Sequence, residues 1–310
     1  MKKIGLIGLG KIGQNIALNL LSKNYYLIAY NRSPEKTKRM QKRGAIPSYS
    51  LEELTGKLMS PRIILLTLTA GQPVDNAIAN LLYNLKEGDI IIDGGNSFYK
   101  DTIRRYNILK RKGIYFIDMG ISGGIYGARH GASLMIGGDK NAFKKIEFLC
   151  KDLAIKGGYV YLGSSGAGHF AKMVHNAIEY AMLEAYGEGL ELLEKSPYKY
   201  NYKDIVKVWN NGSVIRSYIT ELMEKVLTRN PKLKNIQGII GGGETGKWAE
   251  EFAKSVNVEA ESLKHAIKKR RISEKKQSLS TKLISALRHE FGGHPIKKKK
   301  NSFIKVKVYI

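Results

Sequence analysis

The chain has 310 residues, 43% of them hydrophobic, which is enough apolar material for two domain cores, and a formal charge of +25 at neutral pH. Its one cysteine, Cys150, excludes an internal disulfide and a cysteine-built metal site, and the neighbours Phe148 and Leu149 mark it as a packing residue. No apolar run reaches membrane length and the first residues lack a signal-peptide pattern, so a cytoplasmic protein without membrane contact is expected.

A charge of this size suits either nucleic acid or small anionic ligands. Lysines are spread over nearly every helical segment, and no zinc-finger, RNA-recognition or basic-zipper spacing occurs, so no specific nucleic-acid partner is expected. The run Lys297 to Lys300 reads as a solvated tail with weak, salt-dependent affinity for polyanions.

The first predicted element is an apolar strand, Ile4 to Ile7, followed by Gly8, Gly10 and Gly13 in G-x-G-x-x-G spacing and an amphipathic helix. In that setting the first glycine permits a tight turn, the second lets backbone approach a pyrophosphate, and the third lets helix pack on strand. The helix N-terminus then faces the phosphates, which assigns Gly8, Leu9, Gly10, Lys11, Ile12 and Gly13 to a dinucleotide. A second strand, Tyr26 to Tyr30, ends in Asn31, Arg32 and Ser33, where this fingerprint places its ribose reader. An acid there would indicate NAD. Arg32 instead offers a guanidinium to a 2′-phosphate, with Ser33 and Lys36 nearby, so NADP is the expected cofactor and NAD the alternative.

Arg62 to Leu68, Asp89 to Asp93 and Ile114 to Asp118 are further strands separated by helical lengths, which predicts an α/β Rossmann domain with a doubly wound parallel sheet. Each strand runs into a distinctive loop: LTAGQPVD with Leu68, Thr69 and Ala70, then DGGNSFYKDT, then DMGISGGIYGARHGASLMIGGD. Ligands bind at this edge of such sheets. Asn96 brings an amide to the crevice for cofactor and substrate, and Ser122, Gly123 and Gly124 can present consecutive backbone N–H groups to an anion. Gly137 and Gly138 read as turn glycines. A helix and a last strand, Tyr159 to Leu162, complete the domain.

Residues 168 to 195 form one long predicted helix. Lys172, His175, Asn176, Glu179 and Tyr180 fall at i, i+3, i+4, i+7 and i+8, on one face, while Met173, Val174, Ile178 and Met182 are expected to point into a core. A stripe joining an amine, an imidazole, an amide, a carboxylate and a phenol is costly to bury without purpose, and solvated faces are usually Lys and Glu, so it reads as one wall of an active site. From 196 to 291 the pattern is helices broken by Asn-Gly, Asn-Pro and Gly-rich signals, an all-helical second domain. The expected domains are 1–165 and 166–300, with 301–310 a tail of unassigned role. The histidines show no metal-ligand spacing, so no metal is expected.

The blocks IGLGKIGQN, YNRSPEK, AGQPVD, DGGNSFYKDT, SGGIYGARHGASLMIGG, GAGHFAKMVHNAIEY, TGKW and FGGH are, in order and spacing, similar to those of the 6-phosphogluconate dehydrogenase family, and the chain resembles its short form over nearly its whole length. The resemblance implies oxidative decarboxylation of 6-phosphogluconate to ribulose 5-phosphate, with Lys172 as base and Glu179 as acid. It puts His175, Asn176, Tyr180, Asn96, Ser122, Gly123 and Gly124 on the substrate and Arg270 on its phosphate. Arg288 and His294 resemble a pair that a partner subunit's tail supplies to the neighbouring site, implying a homodimer or higher homo-oligomer. Ala177, Ile121, Gly243 and Thr69 depart from the family pattern. Two other readings stand beside this one: a different β-hydroxyacid dehydrogenase, of 3-hydroxyisobutyrate or tartronate semialdehyde type, and a non-catalytic dehydrogenase-like binding protein.

Overall fold

The computed structural model describes residues 2–296, so the lysine run 297–300 and the segment 301–310 lie outside the described residues. The chain divides into two units, Met1–His175 and Asn176–Ile310, and the division falls within the long helix.

The first unit begins β1 (Lys3–Ile7), α1 (Lys11–Ser22), β2 (Tyr26–Tyr30), α2 (Pro34–Gln41), β3 (Ile46–Ser48), α3 (Leu51–Gly56), β4 (Ile63–Leu66) and α4 (Gln72–Leu81). It continues with β5 (Ile90–Asp93), α5 (Tyr99–Lys110), β6 (Tyr115–Ser122), α6 (Gly124–His130), β7 (Ala132–Gly138), α7 (Lys140–Leu153) and β8 (Ala154–Tyr161), then enters α8 (Ala167–Lys195). The strands form one sheet in the order β3-β2-β1-β4-β5-β6-β7-β8. Both faces are covered. Ile4, Leu6, Leu65, Ile90 and Ile92 belong to one apolar core, whereas Ile7, Ile64, Leu66 and Ile91 belong to the other. Alternating side chains along each strand therefore feed opposite cores, which is why these strands read as continuous apolar runs. Each such fully buried side chain contributes about 1.5–3 kcal/mol.

The sheet departs from the wholly parallel expectation at one pair, β6 and β7, which run antiparallel. Only residues 123–131 join them, too short a link for a crossover that returns the chain to the same end. Strand β7 was hidden because ASLMIGG ends in two glycines. They are packing positions: a Cβ on Gly137 would lie 2.8 Å from the Asp118 carboxylate, and one on Gly138 2.8 Å from the Phe116 carbonyl. The short edge strand β3 also escaped the sequence pattern, since it has three residues and a proline at its centre. Cys150 is fully buried and its thiol is pushed up to about 12, chiefly by burial, which fits a packing role.

The second unit contains the rest of α8 and then α9 (Tyr202–Asn210), α10 (Tyr218–Arg229), α11 (Glu244–Ser255), α12 (Glu261–Ser273) and α13 (Leu279–Gly292). Leu183 and Leu190 of α8 pack with Leu222, Met223 and Leu227 of α10 and with Leu283, Ile284 and Leu287 of α13. A capping box, Ser278 with Thr281, fixes the start of α13. Val174 and Ile178 contradict the expectation of core positions: they are 40% and 57% exposed, while Met173 is buried. Helical spacing shows which residues share a face; it does not say which face meets a core.

Candidate active site

The glycine loop between β1 and α1 has the form its spacing predicts. Gly8 has φ of +101°, and a Cβ there would lie 2.5 Å from the Thr67 carbonyl. On Gly13 a Cβ would come within 2.1 Å of the Gly8 carbonyl, so α1 can sit against the turn only without a side chain. At Gly10 a Cβ would meet nothing within 4 Å. That glycine opens on space in front of the helix N-terminus, a cradle that fits a pyrophosphate. Lys11 is exposed in the first turn of α1, and Ile12 packs against the core behind it.

Asn31, expected at the cofactor, has a structural part in the loop. Its Oδ1 accepts from the Leu9 backbone N–H at 2.9 Å and its Nδ2 donates to the Ser33 carbonyl at 3.2 Å, so it braces the glycine loop against the end of β2. Arg32 beside it is exposed and, among the described residues, makes no hydrogen bond or ion pair. Ser33 is the N-terminal cap position of α2, and Lys36 is half-buried in its first turn.

Leu68, Thr69 and Ala70 follow β4, with Thr69 exposed between half-buried neighbours. Asn96 is exposed after β5, flanked by the buried residues Gly95 and Ser97. The Asp93 carboxylate shapes that loop, accepting from the Gly95 N–H at 3.0 Å and the Ser97 hydroxyl at 2.7 Å.

Strand β6 sets the start of α8 through alternate residues on one face. The Asp118 carboxylate accepts the backbone N–H groups of Gly166 and His169, both at 2.9 Å, and so satisfies donors at the helix N-terminus. Two residues on, Gly120 leaves room for Lys172: a Cβ there would lie 2.5 Å from the lysine Cβ. Two further on, the Ser122 hydroxyl lies 2.9 Å from His175 Nε2, and His175 Nδ1 lies 3.3 Å from Lys172 Nζ. The result is a linked group, Ser122, His175 and Lys172, with Lys172 as a whole 9% exposed. Gly123 and Gly124 follow with φ of +108° and +63° and start α6. Neither Asp118 nor His169 was singled out from sequence, although His169, three residues before Lys172, extends the stripe by one turn.

The second unit holds a separate charged group. Asn176 is buried; Glu179 and Tyr180 are half-buried. The Arg270 guanidinium lies 3.5 Å over the Tyr180 ring, whose hydroxyl is 3.0 Å from Thr245 Oγ1. Arg270 and Arg288 both donate to the Gly241 carbonyl, at 3.1 and 3.0 Å. They are 5% and 8% exposed, and among the described residues neither makes an ion pair. Burial lowers the basicity of both; Arg288 falls to about 10, from burial first and then from the Arg270 charge. Gly241, Gly242 and Gly243 all have positive φ, and a Cβ on Gly242 would stand 3.0 Å from Arg288. Thr245 and the Gly241 carbonyl escaped the sequence reading because their roles depend on helix packing.

Arg288, expected with His294 at a partner's site, lies beside Arg270 of its own chain, both on the Gly241 carbonyl. Helix α13 is drawn into the unit's core by Leu283, Ile284 and Leu287, and that packing sets Arg288 beside Gly241. His294 is exposed beyond α13, its ring packed over Gly292 and its carbonyl 2.8 Å from His289 Nδ1. Among the described residues, Glu184, Glu188 and His265 form a group able to approach one ion, but the Lys269 ammonium is already 3.4 Å from Glu184. No described helix is long and apolar enough to cross a membrane.

Residues 3–163 match the family described as the NAD binding domain of 6-phosphogluconate dehydrogenase, and residues 168–305 match the 6-phosphogluconate dehydrogenase C-terminal domain. A Bacillus subtilis relative named for 6-phosphogluconate dehydrogenase is 41% identical over 96% of this chain and 100% of its own. One from Haloferax volcanii, named as an NAD(+)-dependent, decarboxylating 6-phosphogluconate dehydrogenase, is 33% identical over 96% of this chain and 99% of its own. Among solved structures, Plasmodium falciparum 6-phosphogluconate dehydrogenase, described with NADP+ and with 6-phosphogluconate, superposes with a TM-score of 0.80 at 32% identity. The match covers 97% of this chain and 67% of that one.

Proposed function

The chain belongs to the 6-phosphogluconate dehydrogenase family, and from that premise we propose that it converts 6-phospho-D-gluconate to D-ribulose 5-phosphate and CO2 with a nicotinamide dinucleotide as oxidant. The observation that carries the substrate is the buried pair Arg270 and Arg288, two guanidiniums without an ion-pair partner among the described residues. Such a pair calls for a dianion such as a phosphate, which the unphosphorylated substrates of other β-hydroxyacid dehydrogenases lack.

Gly8, Gly10 and Gly13 would hold the pyrophosphate, while the Leu68 to Ala70 and Asn96 loops would hold the nicotinamide end. When bound, the dinucleotide accepts the hydrogen and two electrons that leave C3 of the substrate. Lys172 takes the proton of the C3 hydroxyl, and His175, between Lys172 and Ser122, fixes the direction of the amine. The resulting ammonium polarises the C3 ketone, which accepts the electron pair released as the carboxylate departs as CO2. Glu179, seven residues further along α8, then protonates C1 of the enediol. NADP is the preferred form, because Arg32 is exposed and uncommitted among the described residues at the ribose-reading end of β2. The active species is a homodimer in which Arg288 serves its own chain and His294 the neighbour's.

Reduced-nicotinamide absorbance with 6-phosphogluconate, and NADP+ or NAD+ in parallel, with CO2 trapped, tests the reading. Matching yields of reduced cofactor and CO2 are expected; turnover of 3-hydroxyisobutyrate but not 6-phosphogluconate would replace it. Lys172→Met should lower kcat by roughly 1,000-fold. Mixing Lys172→Met and His294→Ala proteins should restore activity if His294 acts across subunits, and no recovery would place it within one chain.

A further inference from the structure

Arg105, on α5, is the largest of the fully buried side chains, 1% exposed, beneath the two loops that follow β4 and β5. Its Nε and Nη2 donate to the Asp75 carboxylate at 2.8 and 3.1 Å, and Nη2 also donates to the Gly71 carbonyl at 3.1 Å. Those contacts hold the loop that starts α4. Its Nη1 faces the other loop, 3.6 Å from Asp93 Oδ2, and makes no hydrogen bond. Asp93 is fully buried and is the same carboxylate that folds Gly95 and Ser97 around Asn96. From Asp93 the connection passes on to α8: its carbonyl lies 3.1 Å from His169 Nε2, and His169 Nδ1 lies 2.7 Å from Thr102 Oγ1. A carbonyl only accepts, so Nε2 carries a proton, while the Thr102 hydroxyl lies within reach of both His169 Nδ1 and the Phe98 carbonyl.

A buried ion pair is poor evidence of stabilisation, since apolar residues of similar volume often serve as well. What a guanidinium adds here is reach: one rigid, planar group touches acceptors from both loops. We propose that Arg105 is a positioning residue for the reaction, fixing the spacing between the Thr69–Ala70 loop and the Asn96 loop, with His169 tying that spacing to the helix that bears Lys172. The proposal rests on the reading of those loops as the nicotinamide end of the cofactor site. Arg104 is an internal control. It binds the same Asp75 carboxylate, at 2.9 and 3.0 Å, but its side chain is 48% exposed and its acceptors are Asp75 and Asp101 only.

The test compares Arg105→Lys with Arg104→Lys, each confirmed folded, by NADPH fluorescence titration, kcat and 6-phosphogluconate KM. A lysine cannot bridge both loops, so NADPH binding should weaken and kcat should fall on the order of 10 to 100-fold, with KM for 6-phosphogluconate unchanged. Arg104→Lys should leave all three as in the wild type. Asp75→Glu added to Arg105→Lys, a longer carboxylate for a shorter cation, should recover part of the loss, which a general loss of packing would not allow. Unchanged NADPH affinity and kcat in Arg105→Lys, or equal losses in Arg104→Lys, would overturn the proposal. Should Arg105→Lys not fold, Ser97→Ala releases the hub from its other side and is expected to give the same pattern; wild-type behaviour there would likewise overturn it. Wild-type protein that binds NADPH but leaves 6-phosphogluconate unchanged would refute the substrate reading, while the NADPH titrations would still decide the role of Arg105.

Discussion

The glycine loop of the first unit and the arginine pair of the second both suit phosphate groups, and they are built in opposite ways. The loop is contiguous, residues 8–13, and recognises by absence: missing side chains let backbone N–H groups and a helix terminus approach an anion. The pair draws Tyr180, Gly241, Thr245, Arg270 and Arg288 from four helices and a glycine-rich segment, and is built by presence, holding two like charges out of water. The first kind of site should fail when an atom is added, the second when one is removed. The second should also weigh on the fold, because burial disfavours both charges and the two repel each other, with the carboxylates of Glu179 and Glu244 offsetting this only in part.

Removing Arg270 is the strongest test of this contrast. Arg270→Met forfeits charge-assisted hydrogen bonds worth about 1.5–3 kcal/mol each, so KM for 6-phosphogluconate should rise roughly 100-fold with NADPH binding intact. A KM near the wild-type value would show that the arginine pair does not hold the phosphate. Gly13→Ala tests the other half: its methyl would collide with the Gly8 carbonyl, costing about 1–3 kcal/mol in cofactor affinity or thermal stability. If titration and melting both match the wild type, the close packing of α1 on the turn is not needed. Arg32→Ala should raise KM for NADP about tenfold while leaving NAD alone, as the loss of one exposed charge-assisted contact predicts. Equal losses for both cofactors would mean an arginine that does not read the 2′-phosphate. The smallest effect concerns stability. Arg288→Met removes a buried charge from beside Arg270 and should raise the unfolding free energy by up to about 1 kcal/mol without ligand, while weakening the substrate. A drop in Tm in that variant would mean that the hydrogen bond to Gly241 outweighs the repulsion.

The α/β class, six of the strand positions, the glycine turn, the long helix and the five-residue stripe on α8 could all be read from the sequence. Each depends on a short-range rule: alternation, helical period, or glycines at fixed offsets, in which nearby residues alone limit the backbone. Tertiary structure alone decided the rest. It reversed β7 against β6 across a link too short to cross over, and it turned Gly137 and Gly138 from turn residues into packing positions. It also left Val174 and Ile178 exposed, because a face is buried only if some other element covers it. Asn31 became a brace, and Arg288 came to rest beside Arg270 in its own chain, since each side chain takes the partner that packing brings within reach. Asp118, Gly120 and Ser122 meet Gly166, His169, Lys172 and His175 by the fit of a strand's two-residue step to a helix's three-residue step, a register that exists only once β6 and α8 lie together.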